Sequence, residues 1–174
     1  MYDIKIVPAV LADASMIAEL SRETFYETYA HENTVENMEK FLHYQFSKEQ
    51  LMAEVGKKEN HFLLAYINDV VAGYIKLKDA THKGLGTDNA VEISRFYARK
   101  EYIGKGVGKA LMETALAYAG SHGKAWIWLV VWKQNHRAIR FYESFGYRIF
   151  AEASFVLGDD IQHDWVMKRE VLVG

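Results

Sequence analysis

Cysteine is absent from all 174 residues. That excludes disulfides, thiolate metal sites and a cysteine nucleophile. Proline occurs once, at Pro8. No apolar run approaches the ~18 residues needed to span a membrane, so no membrane partner is expected. The first ten residues include Asp3 and Lys5 and lack a signal-peptide apolar core, which points to a cytoplasmic protein. No single sign of charge dominates: 21 basic against 23 acidic residues give −2. That weighs against a general nucleic-acid binder. The seven histidines show no metal-ligand spacing, so no metal is expected. No repeat or low-complexity segment is visible.

What is present is apolar and aromatic: half the residues are hydrophobic and 14% are Phe, Trp or Tyr. Such a chain can bury a proper core, and its length fits one domain over residues 1–174. Residues 3–7 alternate like a strand that stops at Pro8. Asp13 can cap a helix through Ile17 and Leu20, which residues 25–29 extend or bend. Thr34 and Ser47 can cap two more. Residues 61–67 and 70–77, joined by Asn68-Asp69, read as a β-hairpin. After a polar loop comes a strand at 91–98, then a helix carrying Val107, Leu111, Ala115 and Tyr118. Residues 125–132 form a continuous apolar run, typical of a buried strand. Asn135 opens a short helix that Gly146 ends. Two final strands, 147–151 and 163–169, flank a turn at 157–160. The order predicts a mixed α/β fold with one core.

Between the strand at 91–98 and the following helix lies a run with Gly104, Gly106 and Gly108 at alternate positions and Lys105 and Lys109 among them. A glycine loop at a helix start presents bare N–H groups, and the helix dipole adds positive charge there. Such a site suits a phosphate or pyrophosphate. A Walker A loop does not fit, because Ala110 follows Gly108-Lys109 and Ile103 stands where its first glycine belongs. A dinucleotide fingerprint does not fit either, because the loop lies past mid-chain and no acid stands in residues 125–132.

A second motif follows the apolar strand: Asn135, Ala138, Phe141-Tyr142 and Gly146-Tyr147. Together the two motifs resemble the GNAT acetyltransferases, which use acetyl-CoA. Gly106 and Gly108 match the family's two small positions, while Ile103 replaces its usual Gln or Arg. Further residues resemble the PaiA type of bacterial polyamine N-acetyltransferase. They are Thr24-Phe25, Thr28, Glu36-Asn37-Met38, Phe46 and Glu49-Gln50-Leu51 early, and Ser154-Phe155, Gly158-Asp159 and Asp164 late. The resemblance implies a mainly antiparallel sheet flanked by helices, with acetyl-CoA in a splay between the two central strands.

It also implies site roles. The N–H groups of Ile103, Gly104, Lys105, Gly106, Val107, Gly108 and Lys109 would hold the pyrophosphate; the plain alternative is a flexible loop with solvated lysines. A backbone N–H of Phe96 or Tyr97 would polarise the thioester carbonyl. Asn135 and Ala138 would contact the cofactor, although Asn135 is equally well explained as a helix cap. Tyr142 would be the general acid: a phenol near ~10 still holds a proton when a thiolate near ~8.5 needs one. The other reading makes it a core aromatic with a wet tip. Glu92 would be the base, often through water in this family, or would face solvent or bind the amine only as a charge.

Residues 13–54 carry nine acidic against three basic residues, a surplus of six. Glu23, Glu27 and Glu36 can draw in a polycation such as spermidine, or belong to ordinary solvated helix faces. Tyr26, Tyr29 and Tyr44 can pack an aliphatic spacer or lie in the core. An acetyltransferase for another amine and an acyl-CoA-binding regulator with little turnover are the alternatives. Residues 126–132 and 155–165 can contribute to a homodimer interface or to a monomer's core.

Overall fold

The computed structural model describes residues 1–172, apart from the side chain of Glu32. The chain order is β1 (Ile4–Pro8), α1 (Ala14–Tyr29), α2 (Val35–Gln45), α3 (Lys48–Val55), β2 (Asn60–Ile67), β3 (Val70–Lys78), β4 (Ala90–Ala98), α4 (Val107–Ser121), β5 (Trp126–Trp132), α5 (His136–Ser144), β6 (Arg148–Leu157) and β7 (Asp160–Glu170). The strands form one sheet in the order β1-β2-β3-β4-β5-β7-β6. Among the described residues only β4 and β5 run parallel. The expected mixed α/β architecture with a mainly antiparallel sheet is therefore present.

Local chemistry explains most boundaries. Thr34 and Ser47 accept hydrogen bonds from the N–H groups of Asn37 and Gln50, at 3.1 and 3.2 Å, and so start α2 and α3. Asn68 and Asp69 both take positive φ, 48° and 64°, which suits the tight turn between β2 and β3. Asp13 corrects its expectation: its carboxylate accepts from the Val10 N–H at 2.8 Å and makes no side-chain cap on α1. A short 3₁₀ turn at 11–13 precedes the helix and uses that carboxylate instead.

The helices divide between the two faces of the sheet. Between the sheet and α4–α5 pack Val91, Ile93, Leu111, Met112, Ile127, Leu129 and Met167. Between the sheet and α1–α3 pack Ile17, Leu20, Phe25, Met38, Leu51 and Tyr74. Ser21 and Tyr74 meet there through their hydroxyls at 2.6 Å, which satisfies two buried polar groups.

Two sequence readings change. The final strands are longer than expected, because residues 152–156 alternate between exposed and half-buried rather than carrying a strongly apolar face. Phe155 still anchors this stretch against Tyr29 and Phe41. The run at 125–132 is central but not sealed on both faces, and Val130 is 40% exposed. Being in the middle of the sheet, β5 contributes to the core.

The feature that matters for function lies between β4 and β5. They pair only from Ala90–Ile93 against Trp126–Leu129. Beyond that point β5 stays with β7 up to the Trp132–Asp164 pair, while β4 stays with β3 up to the Ala98–Gly73 pair. A β-bulge coincides with the parting: Lys76 faces Arg95 and Leu77 faces Ile93, so Ser94 has no opposite number. The sheet thus opens into a V, and the β4 edge over residues 94–98 has no neighbouring strand there.

Candidate active site

On one side of the V, the glycine loop leads into α4. Gly106 caps the helix with φ +91°, a conformation that suits glycine. The first helical bond is Ala110 N–H to the Gly106 carbonyl, at 3.0 Å. The N–H groups of Gly104, Gly106, Val107, Gly108 and Lys109 make no backbone hydrogen bond among the described residues. They form the donor-rich end of a 15-residue helix. Two of the seven expected donors are occupied: Ile103 N–H bonds the Lys100 carbonyl and Lys105 N–H the Tyr102 carbonyl, both at 3.2 Å. Lys105 lies over the Tyr2 and Tyr102 rings, and Lys109 reaches Glu113 at 3.8 Å on the surface.

Gly108 is where α4 meets α5. A Cβ there would stand 3.3 Å from the Phe141 ring, so a larger residue would push α5 away. Asn135 caps α5 by accepting the Ala138 N–H at 3.3 Å. Its amide oxygen is engaged in that cap, and so is the Ala138 donor.

Side chains from both faces converge on the V. Phe96 packs with the α4–α5 core, and its ring meets those of Phe141 and Tyr142 at 5.5 and 6.0 Å. Tyr142 is 7% exposed. Burial raises its pKa well above the phenol range, with a further push from Tyr29. The hydroxyl therefore carries its proton at any ordinary pH. Tyr29 comes from the opposite face, at the end of α1, and its ring lies 5.1 Å from that of Trp132. Burial and then the charge of Asp164 raise its pKa too. Tyr97 stands on the same face as Tyr29, strongly raised by burial and by Tyr29, with Tyr74 and Tyr142 adding to it. No side-chain hydrogen bond stabilises Tyr29, Tyr97 or Tyr142 among the described residues.

The comparisons with known proteins come down on one family. Residues 15–147 match the acetyltransferase (GNAT) family. The chain belongs to the GNAT acetyltransferases. An uncharacterised N-acetyltransferase of Lactobacillus delbrueckii subsp. lactis is 36% identical over 174 residues, covering 99% of this chain and 100% of that one. A spermidine N(1)-acetyltransferase of Thermoplasma acidophilum is 28% identical over 143 residues, 80% of this chain and 84% of its own. Among solved structures, the PaiA N-acetyltransferase of Thermoplasma acidophilum in complex with coenzyme A superposes with a TM-score of 0.79. It is 26% identical and covers 97% of this chain and 99% of its own. This GNAT chain is thus an acyltransferase, and its glycine loop and open V suit acetyl-CoA.

The acceptor residues expected from sequence are only partly together. Glu92 faces the α1–α3 side, level with Trp128 in the paired part of β4. Burial raises its pKa, while Lys78 and Lys76 pull it back down. Glu23 and Glu27 share one stretch of α1, and Glu23 lies 3.3 Å from the Arg99 guanidinium. Glu36 is on α2, exposed and paired with Lys40 at 2.9 Å. Glu54, counted in the acidic surplus, is buried. It binds Arg95 through both oxygens, at 2.7 and 2.8 Å, and Lys76 at 3.2 Å.

Asp164 was singled out in sequence only through the resemblance, and the structure makes it prominent. It is 4% exposed, and its Oδ1 has no hydrogen-bond partner. Burial lifts its pKa to about 6 against the lowering influence of His163 and Lys133. An acid at a buried register position among Trp165, Val166 and Met167 was the available signal. Among the described residues, no group of three or more His, Asp or Glu is placed to hold a metal. No helix among them is long and apolar enough to cross a membrane.

Proposed function

We propose that this GNAT enzyme acts as a single domain over residues 1–174 and moves the acetyl group of acetyl-CoA to a primary amine by direct attack, with a polyamine such as spermidine as acceptor. The observation that carries the reading is the V between β4 and β5, which the Tyr142 phenol approaches from one face and Tyr29 from the other. Gly104, Gly106, Val107, Gly108 and Lys109 hold the pyrophosphate with backbone donors, aided by the Lys105 and Lys109 charges. Ile103 lines that loop, and Asn135 and Ala138 fix α5 beside it. The unpaired β4 edge at Phe96 and Tyr97 supplies an N–H to the thioester carbonyl. Tyr142 gives its proton to the departing sulfur. Glu92, whose proton affinity burial has raised, stands farther along β4 and can take up a proton only through water.

The polyamine assignment draws on the acidic surplus of residues 13–54 and on the spermidine acetyltransferase among the relatives. Glu27 offers an open charge on α1, while Glu23 and Glu36 share theirs with Arg99 and Lys40. A homodimer through the exposed Val156 and Ile161 of the β6–β7 hairpin belongs to the same reading, and sedimentation tests it. The enzyme works in the cytoplasm, where acetyl-CoA is available.

The deciding experiment is release of CoA thiol, followed with Ellman's reagent. A cysteine-free protein adds no background. The panel is spermidine, spermine, lysine, an aminoglycoside and a short peptide. Fast release with polyamines alone is expected. Release only with another amine keeps acetyl transfer and ends the polyamine assignment.

A further inference from the structure

A buried carboxylate oxygen without a partner is costly, and Asp164 Oδ1 is one. It sits at a particular height in the fold. Asp164 pairs with Trp132, at the far end of β5 where the V is open. On β4, Phe96 stands three residues beyond Ile93, one of them the bulge residue. Asp164 is therefore about level with Phe96 and Tyr97, across the opening from them. Glu92 is level with Trp128. Trp132 lies four residues beyond Trp128 on β5, about 13 Å at ~3.3 Å per residue. Glu92 is thus far from the point where an N–H from Phe96 or Tyr97 meets a carbonyl. Lys76 and Lys78 beside it also repel an ammonium.

The two faces have opposite chemistry. Tyr142 belongs to the α5 core layer and Asp164 to the α1–α3 side, with Ala153 opposite it on β6. Tyr29 and Trp132 form an aromatic wall next to the carboxylate. An ammonium offers three donors and gains from both a carboxylate and aromatic faces.

We infer that Asp164 receives the acceptor's ammonium on the α1–α3 face and takes its proton, so that the amine and the leaving sulfur occupy opposite faces of the sheet. The inference rests on the acetyl-transfer reading and assigns its first proton acceptor. One N–H proton passes to Asp164. The freed lone pair forms the C–N bond with the acetyl carbon. The C–S bond breaks, its electron pair leaves with sulfur, and Tyr142 protonates the sulfur. The remaining surplus proton on nitrogen returns to the Tyr142 oxygen through solvent, and Asp164 releases its proton to water. Glu92 is then left with at most a distant, water-linked part.

The titratable groups around Asp164 are Tyr29 from α1, Lys133 after β5, Glu152 on β6 and His163 beside it, with Tyr97 and Tyr142 behind Tyr29. Burial outweighs the lowering influence of His163 and Lys133, so the carboxylate gains its proton near pH 6. The base must be ionised, so kcat/KM should fall as pH drops through about 6.

The test measures kcat/KM against pH for the wild type, Asp164→Asn and Glu92→Gln, using the best amine of the panel. Asp164→Asn should lose about 10²–10³-fold at pH 7 and lose the acid limb. Its loss should shrink at least tenfold with a fluorinated alkylamine that is already neutral at the assay pH. A merely structural role would not distinguish the two amines. Asp164→Glu, a conservative check should the Asn variant not fold, should retain the limb at a lower kcat. The inference is overturned if Asp164→Asn keeps the limb, if its loss is equal for both amines, or if Glu92→Gln removes the limb instead. A wild type that binds acetyl-CoA but releases no thiol with any amine defeats the acetyl-transfer reading itself, and this inference with it.

Discussion

On the α4–α5 face of the sheet the proposed donor site is made of backbone; on the α1–α3 face the proposed acceptor site is made of side chains. The proposed donor side depends on five N–H groups without a backbone partner among the described residues, a helix start with no side-chain cap and an open strand edge. None of these needs a particular side chain, only glycines that let a ligand approach. Ile103 in place of the usual Gln or Arg is tolerable for that reason. The proposed acceptor side depends on Asp164, Tyr29, Trp132 and the placement of α1 and α2 over the hairpin. Asn37 secures that placement: it accepts the Asp159 N–H at 3.3 Å and donates to Asp160 at 3.0 Å. Gly158, at φ +61°, stands where any Cβ would strike the Asn37 side chain. A backbone site is rigid and general, while a side-chain site can be retuned by a few substitutions.

The most severe way to break the comparison is Tyr142→Phe, which removes one hydroxyl from the boundary between the faces. The ring contacts with Phe96 and Tyr147 remain, and no side-chain hydrogen bond is lost. We expect kcat to fall about 10²–10³-fold with acetyl-CoA affinity about unchanged, measured by steady-state kinetics and calorimetry. Unchanged kcat would remove Tyr142 from the reaction.

Next in size is the buried network under the acceptor face. Burial alone would raise the pKa of Glu54; hydrogen bonds and charge from Arg95, with Lys76 and Gln50, override it and hold it at about 2 instead of 4.5. Glu54→Gln leaves two cations without their anion and should cost about 3–5 kcal/mol of stability in urea unfolding. The pH sign follows. The contribution is fully present above about 4.5 and is lost as pH falls toward about 2. The variant should therefore show a flatter stability curve across that window than the wild type.

These two cases also mark what a reader of the sequence could see. The glycine loop, the cap at Asn135 and the Phe141-Tyr142 pair are local, and local patterns survive in one dimension. The order of elements was legible for the same reason. Asp164 was not legible as a functional residue, because its meaning depends on Trp132 opposite it and on the parting of β4 from β5. Glu54 looked like one more surface acid, because its partners Lys76 and Arg95 lie 22 and 41 residues away. The bulge at Ser94 left no mark in composition, yet it sets which β4 side chains face the acceptor.

A medium-sized effect separates the faces. Gly108→Val places methyl groups against Phe141 and should raise the KM for acetyl-CoA about tenfold, an apparent loss near 1.4 kcal/mol. The acceptor KM should stay about constant. An equal rise in both would mean that α5 carries the disturbance through to the other face.

The smallest expected effect is the sharpest test of the acidic surface. Glu36 is exposed and already paired with Lys40, and such solvent-screened pairs add little to stability. Glu36→Gln should leave the urea midpoint about unchanged and change the spermidine KM less than about twofold. Glu27→Gln removes an open charge on α1 and should raise that KM more, with the difference vanishing in high salt as screening shortens the reach of the charge. If Glu36→Gln proves as harmful as Glu27→Gln, and salt erases both, the acceptor face attracts polycations through its summed field. Identical KM values for all three proteins at low salt would confine acceptor recognition to the carboxylate and aromatic rings at the V.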